Sequence, residues 1–440
     1  MNFIQNIKNH PLYLIPNFRN FFIGDVLVAV AERFFAITFV WWVVSQEGEN
    51  GKWLGVLMSV EALPIFFLSP LVGPFIDKYD KKKCMLMGVL MQAFFISIIA
   101  ALYHFDMLIF PRLCLFSFLM SCFVPQFEDS VSASIPQIVD EKHLSSATAT
   151  QAASVDFSNI IAASGSATCV AFFGIFHTIL INIALYILGA LFLMNIKADL
   201  SPVKKDDDGK SENYFDDLKS GLQYILSNRQ LTCYAILYSI GTIFIVSIFV
   251  LIPLIVKDIL HEDIKWVAVF ETSVSVGVVI TALILSFRER YEKFYHVMSA
   301  NYIIFAFAMA ALALSTGKAL ISAMIFIIGC VFATDMALSF VFFQHIVKNE
   351  YKGRFFGLMS SITAGMTPLS YMFAGFMTDY VSIKSVALIN AAGGLFLGTA
   401  MLMIPRVEGE IGSAEDPQDD SFENGGGQPE SCAAGDRVIE

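Results

Sequence analysis

Charged side chains inside long apolar runs are the residues of this sequence that could do chemistry. The first run carries Asp25, Glu32 and Arg33, and the spacing of the two acids places them on one face of a helix. In hydrocarbon surroundings a charge costs about 2.5–3.5 kcal/mol, so it normally faces a cavity or a partner. Carboxylates there can bind protons or cargo, and arginines can supply the countercharge. Later runs add further charged residues: Glu61, Arg112, Asp156, Glu271 and Asp335.

Two of these acids lie deepest in their apolar runs. We expect Glu32 first, and Asp335 second, to be the carboxylates that exchange protons during a coupled process. Arg33 or Arg112 would balance the charge or bind an anionic cargo. The alternative is a static ion pair that only fixes helix packing, and it applies above all to the two arginines.

The apolar runs are long enough to cross a membrane. Apolar residues make up 56% and charged residues 15% of the 440 residues, whereas soluble proteins have about 25% charged residues. A spanning helix needs about 20 apolar residues, and barrel strands would instead alternate over about 10 residues. We therefore predict an all-α integral membrane protein. Its twelve transmembrane helices are placed near residues 20–44, 53–75, 84–104, 107–128, 148–173, 175–196, 231–256, 264–287, 294–315, 318–347, 355–380 and 384–405.

A long polar segment divides these helices into two sets of six. An Ile-Val pair occurs in the segment that leaves the fourth predicted helix and in the one that leaves the tenth, at residues 138–139 and 346–347, which favours two parallel six-helix pseudo-repeats. The predicted parts are an N-terminal bundle (1–196), a cytoplasmic linker (197–230), a C-terminal bundle (231–405) and an acidic, disordered tail (406–440). An amphipathic helix is expected in the linker, with its apolar face formed by Tyr214, Phe215, Leu218, Leu222, Ile225 and Leu226.

The distribution of Lys and Arg predicts the orientation. Most of the 28 basic residues fall in loops on the side of the N-terminus, so both termini are expected in the cytoplasm. The opposite side carries Lys52, Lys257, Lys265, Lys318 and Lys384. The net charge of -11 comes mainly from the tail, so a basic patch for nucleic acid is not indicated. The cysteines lack metal-ligand spacing and there is no phosphate-binding loop, so we expect neither a cofactor nor an enzyme.

The loop after the second predicted helix reads Gly-Pro-Phe-Ile-Asp-Lys-Tyr-Asp-Lys-Lys-Lys at residues 73–83. It resembles the loop signature of the major facilitator superfamily. Gly73 would allow close helix approach, and Asp77 would pair with a basic group or a helix N-terminus. Asp80 replaces the usual glycine, and Asp tolerates a left-handed turn. The alternative is a basic turn that only sets topology.

A second segment, at residues 350–358, contains Gly353 and Arg354 at the start of the eleventh predicted helix. It resembles the Gly-Arg motif of bacterial exporters in the macrolide-efflux and enterobactin-exporter branch of that superfamily. Segments 31–37 and 221–226 agree with this branch, and the resemblance extends to about residue 405. The chain departs from the branch near Phe116, where an arginine is usual.

The resemblance implies a monomeric secondary transporter of the bacterial inner membrane that works by alternating access. It would use the proton gradient to export an amphipathic small molecule, such as a drug or a siderophore, by antiport. Import of a siderophore or another nutrient is the alternative, because the fold does not fix direction. A non-transporting sensor or scaffold is a further alternative. Closure of the cytoplasmic face would involve Gly73, Asp77, Lys81, Gly353 and Arg354.

Overall fold

A computed structural model describes residues 10–46, 50–202, 222–287 and 294–404. Within these ranges the chain is helical and contains no strand, as the apolar runs predicted. Most of the expected amphipathic helix, including Tyr214, Phe215 and Leu218, and the acidic tail lie outside the described residues. Residues 222–227 are helical, and Ile225 is buried in the C-terminal core described below.

The N-terminal half begins with a single helical turn and continues with long helices. Its helices are α1 (Pro11–Leu14), α2 (Pro16–Val44), α3 (Asn50–Ile76), α4 (Lys81–His104), α5 (Phe110–Ser121), α6 (Val124–Ile138) and α7 (Glu141–Met194).

The C-terminal half follows the linker. Its helices are α8 (Arg229–Val246), α9 (Ile248–Leu254), a π-helical turn (Ile255–Ile259), α10 (Ile264–Ser286), α11 (Phe294–Leu314), α12 (Lys318–Ile346), a 3₁₀ turn (Asn349–Tyr351), α13 (Lys352–Tyr380) and α14 (Ile383–Leu402).

Ten helical stretches in the described ranges are long and apolar enough to cross a membrane. One of them, α7, has 54 residues, and Gly174 within it has a non-helical backbone (φ 76°, ψ 172°). This glycine lies between the predicted fifth and sixth helices, and its positive φ suits a residue without a Cβ. The 29-residue α13 is not among the ten stretches. The membrane fold is therefore confirmed, whereas the number of twelve helices stays a prediction.

The loop that we expected at residues 129–147 is mostly helical. Helix α6 continues to Ile138, and α7 already begins at Glu141. Hydropathy alone ended the fourth predicted helix where polar side chains begin. Helix α6 instead buries Phe127, Val131 and Ile135 together with the small polar residues Ser130 and Ser134, and its charged Glu128 is exposed.

Each half has its own apolar core. The N-terminal core includes Phe18, Phe21 and Tyr186, and α2 packs along α7. The C-terminal core includes Tyr234 and Phe342, and α11 packs along α14. Between the halves, α3 packs against α13, and α7 packs against α10. A space remains between the two bundles, and helices of both halves line it.

The contact between α3 and α13 is tightest at one end. A Cβ at Gly55 would lie 2.5 Å from the Tyr371 carbonyl oxygen, and one at Gly375 would lie 2.6 Å from the Gly51 carbonyl oxygen. These residues lie at the ends of α3 and α13 that are predicted to face away from the cytoplasm. Glycine is needed there because a side chain would separate the backbones.

The glycines near the opposite ends of the same two helices make no such contact. Among the described atoms, none lies within 4 Å of a Cβ built at Gly73, Gly353 or Gly357. The close helix approach that we predicted at Gly73 is thus not present in this conformation. Close backbone contact between α3 and α13 is therefore found at the predicted outer face, and these three glycines of the predicted cytoplasmic face have open space beside them.

Candidate transport cavity

A cavity of about 240 Å³ lies between the two halves. Its charged and polar lining comes from both sides: Arg33 on α2 and Asn159 on α7, and Glu271 on α10 and Tyr371 on α13. We call this space the apex cavity. It brings together two of the charges that the sequence singled out, one from each half.

Among the described residues, Arg33 is the only basic one that lines the apex cavity, and its side chain is exposed. It interacts electrostatically with Glu271 of the other half and with Glu32 and Glu128 of its own half. One guanidinium therefore lies near three carboxylates.

A larger cavity of about 850 Å³ lies against the C-terminal half. We call it the aromatic cavity, since α12 and α13 line it with large apolar side chains: Phe332, Met336, Phe340, Phe343, Phe356 and Met359. Hydroxyl groups of Tyr238, Ser339 and Thr363 also line it. It shares Val278 and Phe332 with the apex cavity, so the two spaces adjoin.

The acids of α2, Asp25 and Glu32, are on the same helix as the cavity-lining Arg33. Asp25 is buried and accepts a hydrogen bond from the Ser154 hydroxyl on α7 (3.3 Å). Glu32 is half-buried, and Asp25 interacts with it electrostatically, as expected from their spacing. The fully buried Gln92 of α4 lies beside Glu32, but neither of its amide atoms completes a hydrogen bond within the described residues. Glu32 therefore sits in a polar pocket within the N-terminal half.

Asp335 lies inside the C-terminal half. It is buried, and the Tyr302 hydroxyl lies beside it. One turn further along α12, Ser339 shares a hydrogen bond of 2.6 Å with Tyr234 and also lines the aromatic cavity. The Asp335 carboxyl group is thus buried beside one hydroxyl group, and a second hydroxyl group on the same helix, that of Ser339, belongs to a residue that lines the cavity.

The remaining predicted residues occupy other places. Glu61 of α3 is half-buried and interacts electrostatically with the buried Tyr186 hydroxyl on α7. Arg112 lies in the first turn of α5, where its guanidinium donates to the Met107 carbonyl oxygen (2.6 Å). It lines neither cavity. Asp156 is on α7, but its side chain lies outside the described residues.

Glu128 and Asp129 of α6 were missed by the sequence reasoning. Glu128 is exposed, and it interacts electrostatically with both Arg33 and Glu32. The two acids were assigned to the end of a helix and to a loop because the hydropathy falls there. The helical spacing of the apolar residues around them was the signal that could have found them.

The predicted gating loop is anchored by residues whose roles the sequence did not indicate. Asp80 has an extended backbone (φ -61°, ψ 116°), so this residue does not adopt the left-handed conformation that an aspartate would tolerate. Its carboxylate caps α4 by accepting from the Lys82 backbone N–H (2.9 Å). The Lys82 ammonium donates to the Met194 and Ile196 carbonyl oxygens (2.8 and 2.7 Å) at the end of α7. Lys81 is buried, and Asp77 is exposed.

Comparison with known proteins identifies the family. Residues 13–423 match the family described as transmembrane secretion effector. The uncharacterized MFS-type transporter YfiS of Bacillus subtilis (strain 168) is 22% identical over 356 residues, covering 80% of this chain and 84% of the relative. Macrolide efflux protein A of Streptococcus pyogenes is 21% identical over 380 residues, covering 83% and 90%.

Solved structures agree on the fold. The nucleoside transporter NupG superposes with a TM-score of 0.73 at 14% identity, covering 88% of this chain and 98% of that chain. The POT family transporter PepTSo gives 0.66 at 13% identity, covering 88% and 97%. At these identities the likeness concerns the fold alone. Because the family match spans most of the chain and the helical halves agree with it, this protein belongs to the transmembrane secretion effector family of major facilitator transporters.

Proposed function

We propose that this transporter exports amphipathic small molecules across a bacterial inner membrane and uses the proton gradient to do so. The observation that carries the proposal is the adjoining pair of cavities, one with charged groups and one with aromatic walls. An amphipathic molecule needs both environments at once. The open space beside Gly73, Gly353 and Gly357 at the predicted cytoplasmic face would let such a molecule enter from inside the cell.

The lining of the cavities favours a cargo with an apolar body and a neutral or positively charged group. Phe340 and Met336 line the aromatic cavity and are more than half exposed, so a cargo molecule can contact their apolar side chains without displacing packed residues. At the apex, Arg33 is outnumbered by Glu271 and Glu128. A cationic group gains from this balance, whereas an anionic siderophore would meet repulsion from the surplus carboxylates.

Glu32 remains our first choice for proton coupling, with Asp335 as the second. Protonation of Glu32 would remove one of the carboxylates that balance Arg33, and so change the charge presented to cargo in the apex cavity. Proton binding and cargo binding would then oppose each other, which is the requirement for antiport. The similarity to macrolide efflux protein A supports export as the direction.

The test uses inverted membrane vesicles, in which the cytoplasmic face is outside, and ethidium as an aromatic lipophilic cation. Acidifying the vesicle interior should drive ethidium accumulation, and a trapped pH dye should report proton release during it. Glu32→Gln should abolish both signals. Asp199→Asn removes an exposed carboxylate at the start of the linker, and should leave both signals unchanged.

Other outcomes would change the proposal. Accumulation in right-side-out vesicles alone would indicate import. Ethidium movement without proton release would contradict proton coupling, and unchanged proton release in Glu32→Gln would exclude Glu32 as the coupling residue. If ethidium, a neutral amphipathic dye and an anionic siderophore all failed to move, a non-transporting role would be favoured.

A further inference from the structure

Three lysines lie over aromatic rings that belong to the other half of the protein. The Lys257 ammonium is 5.8 Å from the centre of the Trp41 ring, and that of Lys265 is 5.4 Å from the centre of the Phe172 ring. In the reverse direction, Lys52 of the N-terminal half lies 5.8 Å from the centre of the Phe376 ring, and it also lies 5.6 Å from the ring of its own neighbour Trp53. All of these distances are within the range of a cation–π interaction.

These pairs occupy the same face of the molecule. Trp41 is near the end of α2, and Lys257 is in the π-helical turn after α9. The other two pairs lie at the same level. Phe172, just before the break at Gly174 within α7, contacts Lys265 at the start of α10, and Phe376 near the end of α13 contacts Lys52 near the start of α3. This is the face on which Gly51, Gly55 and Gly375 bring the halves into contact, and it is predicted to point out of the cell.

An apolar contact between the halves lies beside one of the pairs. Ala167 and Val170 of α7 form a small buried cluster with Ile264 and Ala268 of α10. The half-buried Trp41 packs against this cluster, so the pair of Trp41 with Lys257 is partly shielded from water, whereas Phe172 is 73% exposed. Partial desolvation strengthens a cation–π interaction, because water competes for the ammonium.

A lysine over an aromatic ring suits a contact that must form and break. When the halves separate, water solvates the ammonium group again, and the uncharged ring needs no new partner. A buried ion pair would instead expose or strand two charges. The described ion pair on this face, Lys318 with Glu262, lies within the C-terminal half, as does the contact of Lys318 with the Trp266 ring.

We infer that Lys52, Lys257 and Lys265 are positioning residues that close the outer face by cation–π contacts between the halves. All three contacts must break before the cavities can open outward. This inference rests on the alternating-access fold and does not depend on the cargo, the direction or the coupling ion. Each contact is expected to bias the equilibrium about two- to fivefold toward the closed outer face, and the three together about tenfold or more.

The test measures access to the apex cavity from outside. A cysteine replaces Asn159 or, in a second reporter, Ser275 on the other half, since both residues line that cavity. Right-side-out vesicles are treated with a membrane-impermeant thiol reagent. The chain without a reporter supplies the background, because its described cysteines are buried or half-buried.

The triple variant Lys52→Gln, Lys257→Gln, Lys265→Gln should label about tenfold faster than the parent chain with both reporters. The triple Lys→Arg variant keeps the cations and should label at the parental rate. Lys318→Gln is the matched control, since its partners Glu262 and Trp266 lie in its own half, and it should not change labelling.

Parental labelling in the triple Gln variant would overturn the inference. So would an equal increase in Lys318→Gln, or in the triple Arg variant. If the triple Gln variant fails to fold, Trp41→Leu and Phe172→Leu remove the rings singly and should each raise the labelling rate about two- to fivefold. Unchanged rates in both of these variants would also reject the contacts as closing devices.

Discussion

Arg33 and Glu271 line one cavity from opposite halves of the protein, and their charges interact across it. Each residue alone is a charge in an apolar helix. Together they connect α2 with α10, two helices that must change their relation when the outer face opens. The pair therefore links the cargo site to the relative position of the halves.

The first prediction concerns this pair. Arg33→Gln and Glu271→Gln should each lower the initial transport rate about tenfold or more, because each removes the charge interaction that joins the two halves across the cavity. The initial transport rate of the double variant should be no lower than that of the slower single variant, since both substitutions remove the same interaction. Transport assays in vesicles measure the cycle. Rates that multiply in the double variant would show that the residues act independently.

Phe340 offers a test of the aromatic cavity. It is 53% exposed and lines the cavity, so Phe340→Ala should raise the KM for an aromatic cargo about tenfold without unfolding the protein. Phe396 of α14 is 63% exposed and lines neither cavity, so Phe396→Ala is the matched control. An unchanged KM for Phe340→Ala would indicate that cargo binds elsewhere.

The glycine contact at the outer face predicts that a substitution by alanine has an effect at one position of α13 and none at another. Gly375→Ala should prevent close approach, because its Cβ would lie 2.6 Å from the Gly51 carbonyl oxygen. Gly357→Ala should be tolerated, since no described atom lies within 4 Å of its Cβ. Both changes add a similar gain in helix propensity of about 1 kcal/mol. Faster labelling of the apex cavity from outside is expected for Gly375→Ala alone, and equal rates would argue against a closed contact there.

A fourth prediction concerns the cap of α4. Asp80→Ala removes the acceptor for the Lys82 backbone N–H and should lower the free energy of unfolding by about 1 kcal/mol. Asp140 begins α7 without a side-chain capping bond, so Asp140→Ala should have a smaller effect. Thermal unfolding in detergent compares the two variants. A larger loss for Asp140→Ala would contradict the assigned cap.

The amino-acid sequence by itself determined the helices and the membrane environment. Long apolar runs are a local property, and a chain in hydrocarbon must satisfy its backbone hydrogen bonds within each helix. For the same reason the division at Gly174 was visible, since it separates two runs of sufficient length. The extent of α6 was not, because its polar face lowers the hydropathy although the helix continues.

Only the tertiary structure decided which charges meet and which face is closed. Arg33 and Glu271 are far apart along the chain, and no local pattern indicates that α2 and α10 line one cavity. The same holds for Gly55 and Gly375, and for Lys257 and Trp41. Such contacts depend on how the two helical halves pack on each other. This packing changes during a transport cycle, whereas the sequence stays the same.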